Sequence, residues 1–296
     1  MWKKTWNLPE GFLIGGGLIV AGLMLELSAG PVAWDAFTWP ANAIVLACFV
    51  LLIALMHLLR SKVYAFRFLS SLDAAIPALC YATVLTVVMG LTRQTVNGKW
   101  LNDMLTFWPF VLIYVYLTVI VGLLVLRRCK ITDWRRDLPF LLNHLGLFIV
   151  LTTATLGNAD LQRMKMITAV GDPEWRVMDQ KQQIVELPLA IELQRFIMET
   201  YDDGSPKRYA SEVNILTATG KNIHTTIDVN KPASVDGWKI YQYGYDTKKG
   251  SLSEISIFEL VRDPWLPYVY AGIYMMLGGA VLTFILGVRR KEHELG

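Results

Sequence analysis

Apolar residues gather along this chain in six long, nearly uninterrupted runs, at about 11–29, 41–59, 73–91, 105–126, 138–156 and 265–288. A hydrocarbon core of about 30 Å is crossed by roughly 20 helical residues, so each run predicts a membrane-spanning helix. Between the fifth and sixth runs the period changes. Residues 158–183 are mixed and Met-rich and predict a surface segment leading away from the membrane. Strand patterns then follow at 184–201, 207–218, 222–229, 238–245 and 254–261, as in Ile223-His-Thr-Thr-Ile-Asp-Val229, where apolar and polar positions alternate. Turn residues separate them, at Asp202-Asp-Gly-Ser-Pro206, Thr219-Gly-Lys221, Asn230-Lys-Pro232 and Lys249-Gly250. The expected fold is an α-helical multi-pass membrane protein with six transmembrane helices and an all-β domain inserted between helices five and six.

Composition agrees. Of 296 residues, 54% are hydrophobic and only 18% charged, at a mean hydropathy of +0.39, outside ordinary globular usage. Ten tryptophans suit membrane–water interfaces. The net charge of +3 is too small to argue for nucleic acid, but its distribution orients the helices. Lys3 and Lys4 precede the first run. Arg60, Lys62 and Arg67 lie between runs two and three, and Arg127, Arg128, Lys130, Arg135 and Arg136 between four and five. Arg289, Arg290 and Lys291 follow the sixth, whereas residues 30–40 hold no Lys or Arg and 92–104 only Arg93 and Lys99. By the positive-inside rule both termini are cytoplasmic and the β-domain is extracytoplasmic. The first run ends in Glu26 and Leu27 without a small-residue cleavage pattern, so it is expected to be a retained span.

Chemistry is sparse. Cys48, Cys80 and Cys129 form no Cys-x-x-Cys, which excludes a dithiol oxidoreductase of the usual kind and a c-type cytochrome. No Ser/His/Asp arrangement, paired carboxylate or nucleotide loop occurs. Gly15-Gly-Gly17 and Gly278-Gly279 read as close helix packing. Glu26 and Asp73 sit near span ends, within reach of solvent, and Ser70 and Ser71 offer a helix cap before Asp73. His224, beside Ile223 and Thr225, reads as a solvent-facing strand residue. His144 stands apart as the one histidine well within a span, about 9 Å along the helix from Leu138 at 1.5 Å per residue. An ionisable residue at such depth marks a functional site by default. Its neighbours Phe140, Leu141, Leu147 and Phe148, with Gly146 close by, make an apolar, aromatic wall with room beside the imidazole, suited to haem. A hydrogen bond to another helix, to buried water or to Asn143 is the alternative. His57, three residues before Arg60, reads as interfacial, with a second ligand role open.

The chain resembles the ResB (CcsB) family of cytochrome c biogenesis proteins. Phe68-Leu-Ser-Ser-Leu72, Phe107-Trp-Pro-Phe110 and Asn143-His144-Leu-Gly146 are similar to that family's three conserved helices. Leu187-Pro-Leu-Ala-Ile-Glu-Leu193 with Phe196, Lys207-Arg-Tyr-Ala-Ser-Glu-Val213, Thr226-Ile-Asp-Val-Asn-Lys-Pro232 and Gly237-Trp238 with Tyr241-Gln242 follow in the family's order, and Asp263-Pro264 leads into the last helix. The likeness runs from about residue 66 to 288. Two N-terminal spans precede it, and Trp265 stands where glycine is expected.

The resemblance implies a subunit of a bacterial cytoplasmic-membrane system that delivers haem and attaches it to apocytochrome c outside. Haem b would be held transiently through an iron bond to His144. A CcsA-type partner would supply the second ligand and the tryptophan-rich module missing here, and thiol-reducing proteins are further potential partners. The implied divisions are 1–62, two extra helices; 63–157, a ResB-like core of three helices; 158–262, the extracytoplasmic β-domain; and 263–296, the last helix and a cytoplasmic tail. The chain would be a non-catalytic or co-catalytic subunit. A stable b-type haem subunit oxidising quinol, and a haem-free scaffold stabilising CcsA, are the competing expectations.

Overall fold

The computed structural model describes residues 6–95, 98–129 and 134–294. Lys3, Lys4 and Lys130 of the charge argument lie outside them, as do the side chains of Arg135, Arg136, Arg289, Arg290 and Lys291. The chain divides into two compact units, one of Met1–Ala159 with Trp265–Gly296 and one of Asp160–Pro264.

The first unit is helical, with α1 (Leu8–Ala29), α2 (Ala41–Leu59), α3 (Tyr64–Leu69), α4 (Leu72–Leu91), α5 (Trp108–Arg128), α6 (Trp134–Gly157) and α7 (Leu266–Glu294). All but α3 are long and apolar enough to cross a membrane. Their outer faces keep large apolar groups exposed, such as Leu58, Leu91 and Phe284, a surface at home only in lipid. The protein is a multi-pass membrane protein with a β domain.

Three local features depart from the sequence expectations. First, α5 starts at Trp108, three residues later than hydropathy suggests, because Pro109 fits a first turn, where its missing N–H is not needed. Second, Glu26 is not simply solvated. Its Oε2 accepts the Trp108 N–H at 3.2 Å, so a carboxylate near the end of α1 caps α5. Third, Ser71 occupies the N-cap position of α4, but its hydroxyl donates to the Phe68 carbonyl at 2.6 Å and so closes α3 instead.

Helices approach closely where side chains are absent. A Cβ added to Gly22 of α1 would stand 2.6 Å from the backbone nitrogen of Pro109, while Gly17 and Gly278 face open space. Another close seam joins α6 to α7. A Cβ on Gly146 would meet the Gly272 carbonyl oxygen at 2.5 Å, and one on Gly279 would meet Asn143 Oδ1 at 2.7 Å. Backbones this close trade side-chain bulk for dispersion contact, the usual basis of association in lipid. Between α5 and α6 the adhesion is polar. Tyr114 Oη donates to the Leu151 carbonyl at 2.7 Å, and the Thr155 hydroxyl donates to Tyr114 Oη at 2.9 Å.

The second unit is one antiparallel sheet of β1 (Gln162–Ala169), β2 (Pro173–Met178), β3 (Ile184–Thr200), β4 (Pro206–Thr217), β5 (Asn222–Asp228), β6 (Ala233–Val235), β7 (Trp238–Tyr245) and β8 (Ile255–Arg262). The order is β5-β4-β3-β2-β1-β8-β7-β6, and the sheet curls until β5 comes against β6 and β7. Alternate residues point into the curl, where Ile191, Leu193, Val213, Ile215, Ile240 and Phe258 are fully buried. Residues 158–183, expected as a surface segment, instead supply β1 and β2. The inward positions of β1 include Met166 and the polar Thr168, which blur the alternation of apolar and polar residues, and its full-length partner is the distant β8. His224 is exposed on β5, and its Nδ1 donates to Asn214 Oδ1 on β4 at 2.8 Å.

Glu174 on β2 shows how this surface responds to acid. The Arg176 guanidinium grips its carboxylate at 2.8 and 2.9 Å, and the backbone N–H groups of Trp175 and Arg176 add to the hold. Together they bring its pKa down to about 2, against a smaller opposing effect of burial. A depressed carboxylate pKa stabilises the fold above the unfolded value of 4.5. That stabilisation is lost as pH falls from there toward the folded value. The melting midpoint of the sheet signal in wild type should therefore exceed that of Glu174→Gln at pH 7, with the gap closing below pH 4.5. A gap unchanged at low pH would refute this account.

Candidate functional site around His144

His144 lies one turn beyond Phe140 on α6, half-buried. Its face can be read from its neighbours at helical spacing. Phe148, Leu151 and Thr155 continue the same stripe, and this stripe meets α5 and α2. Phe148 approaches Gly122 of α5 and stacks on Phe49 of α2, with centroids 6.5 Å apart, while Leu151 and Thr155 bond Tyr114. Asn143 and Gly146 face α7 instead. Gly146 thus makes room for a helix, not for a ligand beside the imidazole, and Asn143 is turned away from it.

The imidazole is fixed by its own helix. Nδ1 lies 2.9 Å from the carbonyl oxygen of Phe140, one turn earlier. A carbonyl oxygen can only accept, so Nδ1 carries the proton and donates, and in the neutral ring Nε2 is left with its lone pair. Nε2 has no hydrogen-bond partner among the described residues. The Phe140 ring stacks on the imidazole, with centroids 4.0 Å apart and planes 24° from parallel. Beyond it the Arg128 guanidinium covers the Phe140 ring at 5.2 Å and pairs at 3.6 Å with Asp137, whose side chain is 3% exposed. Arg128 thereby ties the end of α5 to the first turns of α6. Asp137, Arg128 and Phe140 form a support for His144. Helical spacing already set Phe140 beside the imidazole, but the parts of Asp137 and Arg128 escaped the sequence, because nothing local points to them.

This arrangement suits a metal-bound imidazole. Ligating histidines commonly donate the second ring N–H to a carbonyl, which fixes tautomer and orientation and leaves the other nitrogen basic. The residues present fit one axial bond to a haem iron through Nε2, against an apolar and aromatic wall. The chain brings no three-residue metal cluster together among the described residues.

His57 lies near the end of α2, and its Nδ1 is buried without a hydrogen-bond partner among the described residues. The Asn42 amide donates to the Leu156 carbonyl at 3.2 Å, so α2 and α6 run antiparallel. Measured from the stacked Phe49 and Phe148, His57 is eight residues and His144 four residues farther in the same direction. At 1.5 Å per residue their levels differ by about 6 Å. The two histidines therefore sit at different levels along the helices.

Residues 134–257 match the model of the ResB-like family, a stretch that opens with α6 and closes within β8. It holds His144 but not the first two helical blocks of the resemblance. Among curated proteins, the cytochrome c biogenesis protein CcsB of Prochlorococcus marinus strain NATL1A is 32% identical over 102 residues. The CcsB protein of strain NATL2A matches to the same extent. In each case the match covers 34% of this chain and 23% of the relative, so the chain aligns with under a quarter of the curated proteins' length. Among solved structures, the cytochrome c heme lyase CcmF aligns over 93% of this chain and 45% of its own, at 13% identity and a TM-score of 0.38, too slight a likeness to support an inference. Over α6 and nearly all of the β unit this chain is similar to the ResB-like family, and about a third of its length is similar to CcsB.

Proposed function

We propose that this chain is a subunit of a membrane system that delivers haem and attaches it to apocytochrome c, with His144 holding the haem iron inside the membrane. The observation that carries this reading is the state of the imidazole, with Nδ1 committed to the Phe140 carbonyl and Nε2 uncommitted. Haem b is the cargo here, and its iron is the acceptor for the Nε2 lone pair. The chain's own residues set the tautomer and hold the ring flat against Phe140. Packed apolar helices would keep water from the site.

The mismatch in level between His57 and His144 favours a second ligand from another subunit, a CcsA-type partner. Charge distribution supports cytoplasmic termini in a bacterial inner membrane and an extracytoplasmic β unit, which would meet apocytochrome c. Residues 63–157 would be the haem-holding core and 1–62 an added pair of helices facing the partner. The division continues with 158–262 as the outer domain and 263–296 as the closing helix and tail. The chain would be a non-catalytic or co-catalytic subunit.

The test is purification of the full chain alone and co-expressed with a CcsA-type subunit, read by its Soret absorbance. Haem should be retained by the complex and largely lost from the lone chain. Full low-spin haem in the lone chain would favour a stable b-type subunit instead. A haem-free complex would leave a scaffold role and overturn the proposal.

A further inference from the structure

We propose that a basic cavity at one end of the helical unit binds the phosphate of an anionic phospholipid headgroup. The cavity encloses about 680 Å³, within the roughly 300–1,000 Å³ typical of small-molecule sites. It forms where the start of α1, the end of α2, α3, the start of α4 and the end of α5 converge, and no described residue of α6 lines it.

Charge identifies the ligand class. Arg60, Arg67 and Arg127 line the cavity against a single carboxylate, that of Asp73. None of the three arginines has an ion-pair partner among the described residues. Arg127 is held in place by donating through Nη1 to the Ser70 carbonyl at 2.8 Å, and Arg67 lies over the Tyr64 ring at 5.9 Å. Three guanidiniums without anions form a strongly positive site, and their fork of N–H donors matches phosphate oxygens two at a time. With Asp73 the cavity still keeps a net positive charge, enough to hold the single charge of a phosphodiester.

The setting argues for lipid over free phosphate. Phe68, buried at 4% exposure, forms part of the wall, and Trp6 packs edge-on against Tyr64 and Phe68 with centroids 5.3 Å away in each case. Aromatic rings beside arginines at the ends of apolar helices occupy headgroup depth in a bilayer. Leu8 and Leu72 follow directly on the cavity residues Asn7 and Ser71 and are exposed, which gives acyl chains apolar helix surface next to the headgroup. Basic pockets between membrane helices are a known way to retain anionic lipids.

The experiment uses the full chain purified in detergent, with phosphatidylglycerol or phosphatidylcholine added and bound lipid counted by native mass spectrometry. Wild type should hold phosphatidylglycerol in preference to phosphatidylcholine. Losing an arginine should weaken retention about fivefold, and the double variant Arg60→Gln/Arg67→Gln more than tenfold. The corresponding double lysine variant, which keeps the charge, should keep most of the lipid. Arg127 is left intact because it braces Ser70. Equal retention by wild type and the glutamine variant, with both monodisperse and equally helical, would overturn the proposal. So would displacement of the lipid by inorganic phosphate at millimolar levels, which would make the cavity a free-phosphate site.

Discussion

Replacing His144 by glycine should strip haem from the co-expressed complex, and added imidazole should restore it. If His144 is the ligand, the fall in haem affinity should exceed the 10–100-fold typical of losing a group that merely orients a ligand, because the iron bond itself would be removed. Glycine leaves a hole of imidazole shape next to the Phe140 ring, which is why the free base can return. The reading is the Soret band of the purified complex together with the yield of mature cytochrome c. Phe140→Ala makes a graded companion, because it removes the stacked ring but keeps the carbonyl that accepts the Nδ1 proton. It should weaken haem retention less than His144→Gly does. Wild-type haem content and cytochrome yield in His144→Gly would sink the ligand role outright.

Gly146→Val should strongly destabilise the helical unit. A Cβ at this position would stand 2.5 Å from a backbone carbonyl oxygen and 2.8 Å from the Met276 side chain, so relief needs α7 to move. Overpacking of this kind costs about 1–3 kcal/mol, and more where backbone must shift. Gly17→Val is the matched control, since nothing lies within 4 Å of its added Cβ. In the full chain in detergent, the thermal unfolding midpoint should drop sharply for Gly146→Val and stay near wild type for Gly17→Val. Equal midpoints for the two would mean that the α6–α7 seam is looser than described.

The helical spans were legible because each carries its own signal, a run of about 20 apolar residues that does not depend on any partner. Ala41–Leu59 is recovered to the residue, and the main strands from Ile184 onward to within one or two. What escaped depends on contacts distant in sequence. Strand β1 owes its place to β8, about ninety residues later, and inside the curl it buries a methionine and a threonine. Glu26 gained its role only when α5 began beside it. Around His144 the residue was visible from depth alone, but the committed proton was not, because it rests on rotamer and helix geometry. Gly146 was misread for a simpler reason. Two residues along a helix is a turn of about 200°, so it faces away from the histidine.

The tight fit of Gly157 against Trp265 has a topological consequence. These are the last residue of α6 and the residue just before α7, so the helical hairpin is closed at the point where the chain departs and returns. The β unit is closed in the same way, with Gln162 paired to Arg262. Two independent clasps thus bracket an insertion of about a hundred residues, and neither half depends on the length of chain between them. Closing a flexible loop costs only slowly more as it lengthens, by about 0.6 kcal/mol per doubling. The insert is therefore a replaceable cassette. A larger or smaller domain placed at this neck should leave the packing of the helices that hold His144 unchanged.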